Sequence, residues 1–209
     1  MQEMSEEKSK RKFAIYGGTF DPLHLGHMML AKTAVKECGL HKLIFMPDYV
    51  SPFKQDRPVT DGMLRYGMIQ AATAGDPAFA VSSYEICREG PSYTIETLRH
   101  WDSMLDGSLS FVLGFDSAVQ VDTWYCGDEI LKNYHLITAV RPDTDTEKGM
   151  QTIERFRRDY GANISVLGME PVDISSTDIR RRAAAGESLE GYVSPEVEEY
   201  IIEHKLYRQ

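Results

Sequence analysis

Short apolar runs alternate with longer segments of helical period along almost the whole chain, and few architectures accept that pattern. Residues 13–16, 43–46, 79–84, 109–113, 135–140 and 163–167 read as strands. Residues 24–38, 63–74, 94–105, 147–159, 176–185 and 195–204 read as helices, with a shorter helical stretch at 128–133. Alternation of this kind builds a parallel sheet covered on both faces, so the expected class is α/β. At 209 residues the chain suits one such domain, expected over 13–209, behind a charged, solvated tail at 1–12.

Charge and cysteine usage narrow the partners. A net charge of −9 argues against a polynucleotide, whose binders carry a basic face. It leaves room for a small phosphorylated ligand, because local cations and helix N-termini override the global sign. No apolar run approaches the roughly 20 residues of a membrane span, and the first residues lack the apolar core of a secretory signal. Cys38, Cys87 and Cys126 are widely spaced and odd in number, which predicts a reducing, cytoplasmic setting rather than a disulfide framework.

The most informative stretch is Gly17-Gly18-Thr19-Phe20-Asp21-Pro22-Leu23-His24-Leu25-Gly26-His27. Two glycines after a strand let the backbone turn and approach a ligand without a Cβ in the way. The helix that follows turns its first N–H groups and positive dipole end toward that point, which favours phosphate. His24 and His27, three apart, share a helical face and can reach one anion. In isolation such a pair is as often an ordinary surface feature, and a metal reading needs a third ligand that no spacing supplies.

A second constellation is Ile174-Ser175-Ser176-Thr177-Asp178-Ile179-Arg180. Ser175 with Asp178 has the form of a capping box, which by itself announces only a helix start. The run Arg180-Arg181-Arg182 changes the balance, since positive charge beside a helix N-terminus is unfavourable unless an anion sits there. Arg180 is the residue expected to face phosphate, with Arg181 and Arg182 solvated.

Together these segments resemble the HxGH nucleotidyltransferases, which carry an HxGH element early and an ISSTxxR element late; ISSTDIR matches the latter in full. Within that superfamily the chain looks most like the bacterial nicotinate mononucleotide adenylyltransferases. The likeness runs from about Phe13 to Tyr207 and includes Met46-Pro47, Gly90-Pro91-Ser92-Tyr93-Thr94, Gly114-Phe115-Asp116, Trp124 and the closing Tyr192 to Tyr207. Two departures stand out. Ser51-Pro52-Phe53-Lys54 replaces the common P-P-H-K, and Phe115 replaces the small residue of G-A-D, putting a bulkier side chain beside the expected nucleotide site.

The resemblance implies a Rossmann-like, doubly wound sheet of nucleotidyltransferase type. It implies adenylyl transfer from ATP, with Mg²⁺, to nicotinate mononucleotide, giving deamido-NAD and pyrophosphate. By the same token His24, His27, Arg180 and Lys54 act on the phosphates, while Gly17, Gly18, Thr19, Phe20, Asp116, Ser176 and Thr177 bind ATP. Tyr93, Thr94 and Trp124 bind the acceptor, the Trp stacking on its flat ring and the N–H groups near Tyr93 taking its carboxylate. A Trp and Tyr that only fill core space are the plain alternative. The rival functions are a phosphopantetheine adenylyltransferase or cytidylyltransferase, and a nucleotide-binding sensor domain without turnover.

Overall fold

The computed structural model describes residues 11–49, 59–88, 90–140, 146–169 and 173–208. Lys54 and its neighbours Ser51, Pro52 and Phe53 lie outside the described residues. Strands β1 (Lys12–Gly18), β2 (Lys42–Pro47), β3 (Phe79–Val81), β4 (Ser108–Val112), β5 (His135–Ala139) and β6 (Ile164–Leu167) form a single sheet. Their order is β3-β2-β1-β4-β5-β6 and every pairing is parallel. Around them run α1 (Leu25–Cys38), α2 (Gly62–Thr73), α3 (Tyr84–Arg88), α4 (Thr94–Met104), α5 (Phe115–Ala118), α6 (Gly127–Asn133), α7 (Thr146–Tyr160), α8 (Ser176–Ala185) and α9 (Pro195–Glu203).

The strands are apolar on both sides, and their two-residue period divides the core in two. Phe13 and Ile15 of β1 join Ile44, Phe111 and Leu136 on one face, where Leu98 of α4 and Phe156 of α7 pack. Ala14 and Tyr16 join Leu43, Phe45, Val112 and Ile137 on the other, against Leu30, Ala31 and Ala34 of α1. Each fully buried Leu, Ile or Phe contributes roughly 1.5–3 kcal/mol, so either face alone outweighs any single polar contact of the sheet. A third cluster joins Met68 of α2 to Ile179, Val197 and Ile201 of the closing helices. It anchors α8 and α9 beside the start of the fold.

The chain winds outward from β1 to β3, then returns to place β4 on the other side of β1. That reversal opens a crevice between the C-terminal ends of β1 and β4, where ligands of such sheets bind.

Three local expectations are corrected. The strand expected over 79–84 stops at Val81, and Tyr84 begins the short helix α3. Too few residues separate the two for any period to show. The expected tail gives up Lys12, which pairs with Ser108 as the first residue of β1. Arg181 and Arg182 are not merely solvated; both bond Asp178 and Glu187. Among the described residues no helix is long and apolar enough to cross a membrane.

Candidate active site

A cavity of about 260 Å³ lies at the β1–β4 crevice. Gly17, Gly18 and Thr19 form one wall, Gly114, Asp116 and Trp124 another, and Asp48, Glu85, Ser92 and Thr94 close it. Two roomier hollows, of about 570 and 510 Å³, are open troughs elsewhere on the surface. The second of them touches Ser108 and His135, at the opposite, N-terminal ends of β4 and β5. Topology therefore favours the smaller cavity.

Gly17 and Gly18 are the last extended residues of β1 rather than its turn. A Cβ on Gly17 would fall 2.8 Å from the Phe111 ring, and one on Gly18 would fall 3.0 Å from the Phe20 ring. These glycines are required by close approach. The left-handed turn is made two residues after Gly18 by Phe20, at φ 49°, a conformation that is strained for a bulky side chain. Burial compensates the strain: the Phe20 ring stands edge-on to Tyr16, His27 and Phe45 at 5.1–5.7 Å. Phe20 is thus a platform beneath His27 as well as a backbone position.

His24 is the N-cap of α1, not its first turn, and His27 is the third helical residue. Each ring Nδ1 accepts the other residue's backbone N–H, both at 3.3 Å, and the rings stack at 3.6 Å between centroids. An Nδ1 that accepts has its lone pair in use, so the imidazole proton sits on Nε2. Both rings are thereby fixed in the tautomer that can donate through Nε2. The helix end itself is largely engaged: Leu25 N–H donates to the Tyr192 carbonyl at 2.9 Å, and His27 N–H to His24.

The late motif meets the early one through Asp21 and Pro22. Ser176 Oγ donates to the Pro22 carbonyl at 3.1 Å, and Arg180 donates to the Asp21 carbonyl at 2.7 Å. Arg180 also donates to Thr177 Oγ1 at 3.1 Å, while Ser175 Oγ caps α8 by accepting from Asp178 N–H. The Asp21 carboxylate accepts from Tyr207 Oη at 2.7 Å and from Thr60 N–H at 3.4 Å. Burial, and then the Asp21 charge, push the Tyr207 phenol well up, so it stays a donor.

Arg65 completes the frame. It is 1% exposed and donates to the carbonyls of Thr19, Asp48 and Thr60 at 2.6–2.8 Å. Its guanidinium also pairs with Asp48 Oδ1 at 3.2 Å, and Asp48 Oδ2 accepts from Thr19 Oγ1 at 2.9 Å. Neither Asp21, Asp48, Arg65 nor Tyr207 was expected at the site. One signal was available: Arg65 sits on the buried stripe of α2 with Met68, Ile69 and Thr73, a position where a charge needs a reason.

At the other end Tyr93 is the N-cap of α4 and makes no side-chain capping bond. Thr94 and Ser92 line the cavity there, and the Tyr93 ring leans on Tyr125 at 5.0 Å instead of facing it. Trp124 lines the cavity while standing edge-on to Phe111 at 6.5 Å. Asp116 is exposed in the first turn of α5 and also lines it. Phe115, expected beside the nucleotide site, turns away; its ring fills the core against Gly149, where a Cβ would come within 2.3 Å. Glu85 is buried at the cavity wall and accepts from Thr97 Oγ1 at 2.6 Å.

The chain matches the family model described as cytidylyltransferase-like over residues 15–182. A Clostridium botulinum protein described as a probable nicotinate-nucleotide adenylyltransferase is 37% identical over 199 residues, covering 95% of this chain and 99% of the relative. One of the same description from Symbiobacterium thermophilum is 36% identical, covering 94% and 95%. In fold the chain is similar to Plasmodium falciparum nicotinic acid mononucleotide adenylyltransferase complexed with NaAD, at TM-score 0.76 and 17% identity, over 94% of this chain and 97% of that one. With the crevice after β1, the histidine pair and the late arginine helix tied to the same loop, and relatives this alike end to end, the chain belongs to the cytidylyltransferase-like family and, within it, to the nicotinate-nucleotide adenylyltransferases.

Proposed function

We propose that the protein transfers the adenylyl group of ATP to nicotinate mononucleotide, releasing pyrophosphate and forming deamido-NAD. The observation that carries this reading is the two-ended cavity. Glycine backbone lines one end, the loop that follows it leads into the paired imidazoles and is bonded by the arginine helix, and an uncapped helix start beside a tryptophan forms the other end.

A phosphate monoester has its second pKa near 6, so at neutral pH the acceptor phosphate is already a nucleophile. Its oxygen forms a bond to the α-phosphorus of ATP as the bond from that phosphorus to the oxygen bridging to the β-phosphate breaks, pyrophosphate leaves, and no enzyme group is adenylylated. The protein's share is alignment and charge stabilisation. His24 and His27, with Nδ1 committed to the backbone, present Nε2–H donors to the phosphates. Gly17, Gly18, Thr19 and the Phe20 backbone cradle ATP, with Asp116 near its ribose. Ser176, Thr177 and Arg180 hold the β- and γ-phosphates by exchanging their present carbonyl and hydroxyl partners for phosphate oxygens. Lys54, which the resemblance assigns to the phosphates, lies outside the described residues.

Among the described residues no group of three His, Cys, Asp or Glu side chains is arranged to hold a metal. The donor set therefore suits Mg²⁺ that arrives on ATP, bound mainly by phosphate oxygens and water. When bound it would neutralise phosphate charge.

At the acceptor end Trp124 offers a ring face to the electron-poor nicotinate. The start of α4 at Tyr93 and Thr94 offers N–H groups to its carboxylate. The reading is tested by incubating ATP labelled at the α-phosphate with Mg²⁺ and nicotinate mononucleotide. The label should appear in a dinucleotide and never in pyrophosphate. Label in free AMP or in the protein would overturn it.

A further inference from the structure

Among the described residues two buried carboxyls line the cavity: Asp48, which is paired with Arg65, and Glu85, which has no such partner in the frame and no part in the reaction as described. Its surroundings are nearly all neutral or negative. Thr97 of α4 donates to Oε1 at 2.6 Å, and the Ser92 hydroxyl bonds the same carboxyl while accepting from Tyr49 N–H. Asp48 faces it from the end of β2 with its own counter-charge, Arg65 of α2, on its far side. Arg88, on Glu85's own helix, bonds Glu96 of α4 at 2.6 Å and the Pro91 carbonyl at 3.3 Å. Asp116 and Trp124 line the opposite wall.

Burial above all, and the Asp48 charge after it, push the Glu85 carboxyl up against the pull of its two hydroxyl partners and of the Arg88 charge. Resting on the acceptor assigned above, we propose that Glu85 sets selectivity for the acid: its carboxyl donates a hydrogen bond to the acceptor's ring carboxylate, and where Glu85 is ionised beforehand, capture of that anion takes up one proton. Two carboxylates confined together do not both ionise, so the arriving charge keeps or draws a proton onto the pair. A ring carboxamide brings no charge and takes up none. The sign follows. Below the raised pKa of Glu85 the pocket is ready for the anion. Above it the ionised Glu85 repels the anion, and KM for the acid rises up to tenfold per pH unit while KM for the amide does not follow. Selectivity for acid over amide falls as pH rises, and kcat at saturation is untouched by this group.

The test is calorimetric, with nicotinate and nicotinamide mononucleotides titrated in two buffers of different protonation enthalpy. Both ligands carry the same phosphate, so the difference in proton uptake isolates the ring group. Above the midpoint of the acid's KM profile the acid should take up as much as one proton more than the amide, with the difference fading below it, and Glu85→Gln should erase the difference and flatten the acid's KM against pH. Thr97→Val, which keeps Glu85 and removes a donor to its ionised form, should move the midpoint of that pH profile upward. Equal uptake for acid and amide above that midpoint, an unchanged difference in Glu85→Gln, or an unmoved midpoint in Thr97→Val would reduce Glu85 to a structural residue. Failure of the unaltered protein to bind or adenylylate either nucleotide would instead overturn the functional reading. Adenylylation of the acid without extra uptake would remove Glu85's role alone.

Discussion

At the β1 end of the cavity the helix starts are engaged by the protein itself, whereas at the α4 end the helix start lacks a side-chain cap. Leu25 and His27 N–H groups go to Tyr192 and His24, and Asp178 N–H goes to Ser175. Tyr93, by contrast, caps α4 with no side-chain bond. The β1 end is also held by a buried frame, Arg65 across three carbonyls and Asp21 between α8 and the C-terminal Tyr207. The lesson concerns how each end meets an anion. On the function proposed above, the nucleotide end would meet phosphates with side chains, imidazole and guanidinium, whose orientation a stiff frame fixes beforehand. The acceptor end meets a smaller charge with backbone donors, an aromatic face and a buried acid, where a change of one group changes the preferred ligand.

The comparison can be broken at the frame. Arg65→Met should cost about 3–5 kcal/mol in unfolding free energy, because it leaves the Asp48 charge buried without its partner. Chemical denaturation measures it; a loss below about 1 kcal/mol would mean that the frame does not hold the nucleotide end. His27→Ala should lower kcat by about 10²–10³-fold with folding kept, the usual effect of removing one donor to transition-state charge. Wild-type turnover in that variant would take His27 out of the reaction. Trp124→Ala should sharpen the contrast with the smallest effect, raising the acceptor's KM about tenfold and leaving that for ATP nearly unchanged. An equal rise in both would mean that the two ends are not separate pockets.

What was legible in the sequence follows the same division. Strand and helix periods repeat over four or more residues, so β1, β2, α1, α4 and α8 were readable from local pattern, and the late S-x-x-D cap marked the start of α8 correctly. Helices α3 and α5, of five and four residues, are too short to show a period, and Glu85 was hidden with them. The frame was invisible for another reason. Asp21 meets Arg180 and Tyr207 across 159 and 186 residues, and no local pattern records such a pairing. Gly17 and Gly18 were recognised as special but for an incomplete reason. Their need is the space taken by Phe111 and Phe20, which only packing reveals. Phe115 misled because its place beside Asp116 in sequence says nothing of the half-turn that sends one side chain to the core and the other to the cavity.

The central claim, that one cavity joins a phosphate end to a nicotinate end, is tested most directly by pyrophosphate release with ATP and Mg²⁺. The acceptors to compare are nicotinate mononucleotide, nicotinamide mononucleotide and phosphopantetheine. The account predicts release with the nicotinate acid well above the amide near neutral pH, and none with phosphopantetheine. Preferred release with phosphopantetheine, or no release with any of the three, would contradict it.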